Sequence, residues 1–271
     1  LPQGGDRLRI LSSTQAPTAV QRIAARVLGL PMHAIEVDVA RLGGAFGGKE
    51  DQATPWAVMA ALGVHATGRP VKLVLDRHED MRFTGKRHPY SSDFKLGLTG
   101  DGNIVAYEVW LWQNAGAAAD LSPAILERSL FHATNAYLVP NARIHASSCR
   151  TNLPPFTAFR GFGAPQAMFV LESALDRAAE ALSMPAWKLQ QKNLLDEGDP
   201  FPYGMRTERS QARRSFTDAV KRFDVEALER EIAAHNASAP LVKRGFALMP
   251  VCFGISFTNT ALNQAGALVH V

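Results

Sequence analysis

Cysteine is nearly absent from this chain. Cys149 and Cys252 are the only two among 271 residues, too few for a disulfide framework, a four-cysteine zinc site or an iron–sulfur cluster held within one chain. The expected setting is therefore reducing and cytoplasmic. Long apolar runs are missing as well; none approaches the roughly 20 residues that span a bilayer, so no membrane contact is expected. No fixed-period repeat or low-complexity tract occurs, which argues against solenoids and propellers. Nor is there a large excess of one charge: 29 Lys+Arg against 25 Asp+Glu leaves +4. The basic residues sit among acids and lack the interleaved aromatics of a single-strand platform, so no nucleic-acid partner is expected.

What is present is ordinary globular material, 46% hydrophobic and 20% charged, enough for one large domain or two smaller ones. Apolar spacing predicts helices over 17–28, 51–66, 123–132, 165–182 and 185–195, and two short ones within 215–234. Strands are predicted at 35–40 and 71–75. Segments 94–98 and 104–112 flank a Gly-Asp-Gly-Asn turn and read as a hairpin with Val105, Tyr107, Val109 and Leu111 in alternation. Helices and strands mix without strict alternation, so the fold class is α+β, with mixed sheets and packed helices. The terminal stretch, with Gly266 to Val271 at its end, reads as a strand that stops without a polar tail. A fragment is expected from that pattern, with an apolar surface awaiting a neighbour.

The densest chemical signal is Gly43-Gly44-Ala45-Phe46-Gly47-Gly48-Lys49-Glu50. Four glycines in six residues let a backbone approach a ligand closely, and the loop is expected to offer amide donors at the start of the following helix. Gly43, Gly48 and Lys49 nearly match a phosphate-binding P-loop, and Leu73-Val74-Leu75-Asp76 imitates its magnesium-binding strand. The match fails at Glu50, where the P-loop needs Ser or Thr for magnesium and where a carboxylate would repel phosphates. An NTPase is disfavoured.

The same loop, Arg41 to Glu50, resembles the molybdenum-cofactor loop of the xanthine dehydrogenase family. Further segments agree in order: Ser13-Thr14-Gln15, Leu75-Asp76-Arg77 to His88-Pro89, Leu126 to His132, Thr151-Asn152-Leu153-Pro154, Thr157 to Gln166, Phe253 to Thr258, and Leu262 to Ala267. The resemblance covers nearly the whole chain. It implies that residues 1–271 are the N-terminal part of a molybdenum-cofactor-binding domain.

In that family molybdenum is held by a pterin dithiolene, with no direct protein ligand. The resemblance implies that Gln15, Phe46, Gly47 and Arg160 bind the cofactor, with Gln15, Phe46 and Arg160 forming the molybdenum environment. Glu50 and Arg128 match the residues that orient the substrate and stabilise its charge. Phe162 and Phe257 match aromatics that sandwich a heterocycle, and Thr258 a hydroxyl that hydrogen-bonds it. Taken alone, Glu50 also reads as a carboxylate favoured by a helix N-terminus. Ala45 and Ala164 stand where the family more often has glycine, which requires either right-handed backbones or local relaxation.

The implied activity is oxidation of hypoxanthine to xanthine and xanthine to urate with water-derived oxygen. Electrons would pass to 2Fe-2S clusters, FAD and NAD on other chains or segments, in an oligomeric complex. The family's general-base glutamate and second cofactor loop match nothing in these 271 residues, so the isolated chain is expected to be inactive without the remaining half of the subunit. Two other readings stand beside this one: an aldehyde or N-heterocycle hydroxylase of the same superfamily, and a non-catalytic assembly fragment.

Overall fold

The computed structural model describes residues 1–267 and 269. Its backbone divides into two units. One comprises Leu1–Ser91, Trp112–Leu126 and Ser147–Gly163; the other comprises Ser92–Leu111, Glu127–Ala146 and the chain from Ala164 onward. The architecture is α+β, as the sequence predicts.

The first unit opens with β1 (Leu8–Leu11), α1 (Pro17–Leu28) and β2 (Ile35–Asp38). The two strands are parallel, in the register Leu8↔Ile35 to Leu11↔Asp38, because the helix between them returns the chain to the same end of the sheet. Pro17 starts α1 without losing a bonded N–H, and Gly29 at φ 68° ends it by donating to Ala25 and Arg26 carbonyls. Next comes α2 (Thr54–Thr67), which starts three residues later than predicted. Val20, Ala24 and Ala25 of α1 join Leu8, Ile10, Ile35, Ala57, Val58, Ala61 and Val64 in one buried cluster.

One expectation fails in this unit. Residues 71–75 form no strand. A cavity of about 570 Å³ lies between them and β1, so the segment has no neighbouring backbone to pair with, and Val74 is 71% exposed. Asp76 is the N-cap of α3 (Arg77–Phe83), not a metal-binding strand end. Its carboxylate accepts from Glu79 N–H at 2.8 Å while Glu79 accepts from Asp76 N–H at 3.0 Å, a reciprocal capping box.

Strands β3 (Tyr90–Leu98), β4 (Ile104–Gly116) and β5 (Asn141–Arg150) are hydrogen-bonded in the order β3-β4-β5. Only five residues join β3 to β4, so that pair is an antiparallel hairpin. Within the second unit Tyr107, Val109 and Leu111 are buried in alternation as the sequence predicts, but Val105, at the start of the same run, is 43% exposed. The Asn193 side chain accepts from Ile104 N–H and donates to Gly102 O, both at 2.8 Å, and so pins the hairpin turn.

Between β4 and β5 runs α4 (Ser122–Phe131). The remaining helices are α5 (Ala164–Ala181), α6 (Ala186–Lys192), α7 (Ala212–Arg222) and α8 (Val225–Ser238). Along α5, Met168, Leu171, Ala174, Leu175 and Ala179 are buried at helical spacing. Among the described residues no helix is long and apolar enough to cross a membrane. The predicted terminal strand is not formed at residues 263–267; Leu268, His270 and Val271 lie outside the described residues.

Candidate functional site: paired phenylalanine–glycine loops and a strap

Six of the candidate residues lie in the first unit and three in the second. In the first, the glycine loop turns through backbone that side chains seldom adopt. Gly43, Gly44 and Gly47 have φ of 71°, 89° and 101°, and Phe46 itself stands at 54°. Strain of this kind persists only where the surroundings fix it. Here the fixing contact is a second loop: Arg160 N–H donates to Phe46 O at 2.7 Å. That second loop repeats the turn, with Phe162 at φ 52° and Gly163 at 101°. Ala45 and Ala164 both keep negative φ, so the two departures from glycine carry no left-handed strain.

Gly47 is required for space as well as for φ. A Cβ at this position would sit 3.0 Å from the Ala158 carbonyl carbon and oxygen. The close approach leaves Phe46 66% exposed at the loop's crest. The loop does not run directly into a helix, contrary to expectation: residues 48–53 intervene before α2, so its amides are presented by the turn itself and not by a helix terminus.

Gln15 is tied to this loop from both backbone and side chain. Its N–H donates to Lys49 O at 2.7 Å, and its Oε1 accepts from Lys49 N–H at 3.1 Å. Because an N–H only donates, the amide oxygen faces Lys49, and the exposed Nε2 keeps its two donors for a ligand. Lys49 Nζ is spent internally, on Ser13 Oγ and Leu42 O at 2.8 Å each. That use explains the lysine without a phosphate.

Glu50 is half-buried, and its Oε2 is buried with no hydrogen-bond partner among the described residues. Desolvation pushes its carboxyl above the usual range. A hydrogen bond involving its own backbone opposes that shift, and the charges of Asp120 and Asp51 add to it. A helix dipole would act in the opposite sense, and α2 begins only at Thr54. Glu50 is therefore not a helix-terminal carboxylate.

Three neighbours of these loops had no assigned role in the sequence. Arg87 lies 4.6 Å over the Phe159 ring and donates to Arg160 O at 2.6 Å; burial lowers its pKa. Gln52 donates to Asp120 at 2.7 Å and accepts from Gly85 N–H at 2.9 Å. Thr157 donates to the other oxygen of Asp120 at 2.7 Å. The motif Gly85-Lys86-Arg87-His88-Pro89 marks the neighbourhood, but spacing alone does not reveal which side chain points inward.

In the second unit Arg128 is 4% exposed. Its guanidinium donates to Ser256 O and stands 4.9 Å over the Phe253 ring, and burial lowers its pKa. Thr258 donates to Glu127, so its hydroxyl hydrogen is already committed within the protein. Phe257 is fixed at its backbone by Asn263, which accepts from its N–H at 2.9 Å and donates to its carbonyl at 3.0 Å. Residues 253–258 thus form a strap along the C-terminal turn of α4.

The first unit's residues fit a flat, polar, pterin-type group. An exposed aromatic at the crest, a glycine that no side chain could replace, outward amide donors on Gln15 and the exposed Arg160 guanidinium converge on two loops joined by one hydrogen bond. Among the described residues no cluster of three or more His, Cys, Asp or Glu is placed to ligate a metal.

Such an arrangement defines a cofactor-cradling α+β chain. It belongs to the molybdopterin cofactor-binding domain family, whose model matches residues 1–194. The chain is 42% identical over 272 aligned residues to the xanthine dehydrogenase/oxidase of Rattus norvegicus, covering 100% of this chain and 20% of the relative. To xanthine dehydrogenase 1 of Arabidopsis thaliana it is 39% identical over 268 residues, 99% of this chain and 20% of the relative. It therefore spans about a fifth of the length of these curated relatives. Among solved structures, the aldehyde oxidoreductase of Desulfovibrio gigas matches with a TM-score of 0.75 and 27% identity, over 86% of this chain and 25% of that one. Quinoline 2-oxidoreductase of Pseudomonas putida 86 matches at 0.74 and 25%, over 85% and 30%.

Proposed function

We propose that this chain is the N-terminal part of the molybdenum-cofactor-binding region of a xanthine dehydrogenase-like hydroxylase. Its substrates are hypoxanthine and xanthine, and the oxygen comes from water. The observation that carries the reading is the Phe46–Arg160 link, which joins two strained glycine–phenylalanine turns. When bound, the pterin-held molybdenum supplies the two-electron redox chemistry. Gln15 Nε2 would donate to an oxygen acceptor of the bound cofactor, the Phe46–Gly47 backbone would approach its face, and Arg160 would contact the pterin region. Glu50 would meet purine N–H groups, and Arg128 would stabilise negative charge on a ring oxygen. Phe162 and Phe257 would stack on the heterocycle, with Thr258 bonding it through its oxygen lone pairs.

The remaining part of the subunit would supply the general base, and further domains or subunits the 2Fe-2S clusters, FAD and NAD site, within an oligomeric cytoplasmic complex. The fivefold greater length of the relatives supports that division. An aldehyde or N-heterocycle hydroxylase is the second reading, supported by the two structural neighbours; the higher identity to xanthine dehydrogenases favours purines.

The test is molybdenum and pterin analysis of the complete enzyme, this chain together with the rest of its subunit and its electron-transfer domains, combined with xanthine turnover in isotopically labelled water. Stoichiometric cofactor and label in urate are expected. Cofactor-free protein, or cofactor-loaded protein that turns over aldehydes but not purines, overturns the reading.

A further inference from the structure

His132 follows the last residue of α4 and meets two backbone groups at once. Its Nδ1 lies 2.9 Å from Arg128 O, and its Nε2 lies 2.9 Å from Gly254 N. A carbonyl only accepts and an amide N–H only donates, so one state alone satisfies both contacts: a neutral ring with the proton on Nδ1 and a lone pair on Nε2. The ring also packs against Phe253, centroids 5.2 Å apart, the same ring that Arg128 covers from 4.9 Å. Arg128 in turn donates to Ser256 O, and Thr258 to Glu127. Apart from the bond to Arg128 O, which stays within α4's last turn, each of these contacts joins the C-terminal part of α4 to residues 253–258.

We infer that His132 is a positioning residue: as a neutral Nδ1–H imidazole it clamps the 253–258 strap onto the turn that carries Arg128, and its protonation releases the strap. A charged ring would place a donor on Nε2 against the Gly254 donor and forfeit that bond. The groups around it oppose the charge. Burial disfavours it first, and Arg128, one turn back, repels it, against a helping hydrogen bond to Arg128 O. From the strap, Gly254 and Phe253 bring no titratable group, and the neighbouring Cys252 thiol is pushed up by burial and stays neutral. Tyr203, whose ring meets Phe131 edge-on, is likewise raised and neutral. Glu127 on the same turn is engaged by Thr258. Release therefore belongs below the ordinary imidazole value of 6.5.

The relevance of this clamp to substrate rests on the function proposed above; the clamp itself does not, and the experiment separates them. Hydrogen exchange of peptides covering 253–258 is measured on the purified protein between about pH 7.5 and 5 and corrected for intrinsic rates, for wild type, His132→Gln and His132→Asn. Glutamine reaches Gly254 with an oxygen that does not titrate in this range, whereas the shorter asparagine keeps the donor to Arg128 O and loses Gly254. Wild type is expected to gain about tenfold in exchange on acidification, His132→Gln to stay protected throughout, and His132→Asn to exchange about tenfold faster at every pH. In parallel, in the complete enzyme, KM for xanthine should rise several-fold in His132→Asn with kcat within about twofold. A pH-independent wild-type strap, or equal exchange in the two variants, overturns the clamp. Absence of purine turnover in the complete wild-type enzyme, with the exchange pattern intact, overturns the functional reading and leaves the clamp standing.

Discussion

Arg160 donates its backbone N–H to the carbonyl of Phe46 at 2.7 Å, across 114 positions of sequence. Both partners belong to turns of the same hand and shape, Phe46-Gly47 at φ 54° and 101° and Phe162-Gly163 at 52° and 101°. A single bond between backbones fixes the spacing of the turns while leaving the Phe46 and Arg160 side chains exposed to solvent. Rigid backbone with outward side chains is what a bound flat cofactor requires.

Gly47→Ala should break this pairing. Positive φ and a Cβ 3.0 Å from the Ala158 carbonyl act together, and the expected cost is about 1–3 kcal/mol. Metal analysis should show molybdenum and pterin content falling together, while Gly68→Ala, at a helix end with nothing within 4 Å, leaves both unchanged. Equal cofactor loading in the two variants would contradict the cradle.

Arg87→Lys keeps the charge and loses the planar group that covers Phe159 and reaches Arg160 O. Lysine cannot do both from one position, so a loss of about 1–2 kcal/mol is expected in denaturant unfolding. Residues 158–163 should gain hydrogen exchange. Wild-type stability in Arg87→Lys would show that the stacking contributes nothing.

Glu50 has a testable pH signature. Its carboxyl titrates above the usual range in the folded chain, mainly because of desolvation. The native state then holds a proton that the unfolded state has already released, so stability falls as pH rises from the ordinary value of 4.5 through the raised one. The penalty persists at neutral pH. Glu50→Gln should accordingly melt higher than wild type at pH 7, with the difference vanishing below about pH 4.5. Comparison with wild type at each pH isolates Glu50 from Asp51, which is shifted in the same direction. A variant that melts lower at neutral pH would show the ionised carboxylate to be favoured.

Legibility from sequence followed periodicity. The stripe of α5 and the alternation of Tyr107, Val109 and Leu111 were readable because burial imposes a fixed spacing on apolar residues. Residues 71–75 carry the same apolar signature, yet pairing depends on a neighbouring backbone, which no local pattern encodes. The Asp76-x-x-Glu79 box was present in the sequence and was masked by its likeness to a metal-binding strand end. Motifs located the two phenylalanine–glycine loops, but their hydrogen bond joins residues far apart, and roles for Arg87, Gln52 and Asp120 depend on side-chain direction. His132 lay inside a quoted motif; its function becomes visible only when Gly254 is opposite.

Glu172 supports the strap from behind. Its carboxylate accepts from Tyr137 Oη at 2.9 and 3.0 Å, Asn135 Nδ2 at 2.9 Å and Gln190 Nε2 at 2.8 Å. Two of those donors also grip the incoming chain: Asn135 donates to Pro250 O at 2.7 Å and accepts from Cys252 N–H at 3.0 Å, and Gln190 donates to Leu248 O at 2.8 Å. Replacing Glu172 by Leu removes the common acceptor and leaves buried Asn135, Tyr137 and Gln190 donors unpaired, at an expected cost of about 1–3 kcal/mol. Glu172→Gln keeps one acceptor oxygen, and the Tyr137 hydroxyl can rotate to accept from the new amide, so its loss should be smaller. The local consequence distinguishes this network from general core packing. Exchange at residues 248–252 should rise in Glu172→Leu before global unfolding, whereas Leu171→Ala, a buried cavity on the same helix, should lower global stability without that local opening. If both variants expose 248–252 only on global unfolding, Glu172 stabilises the core and does not anchor the strap.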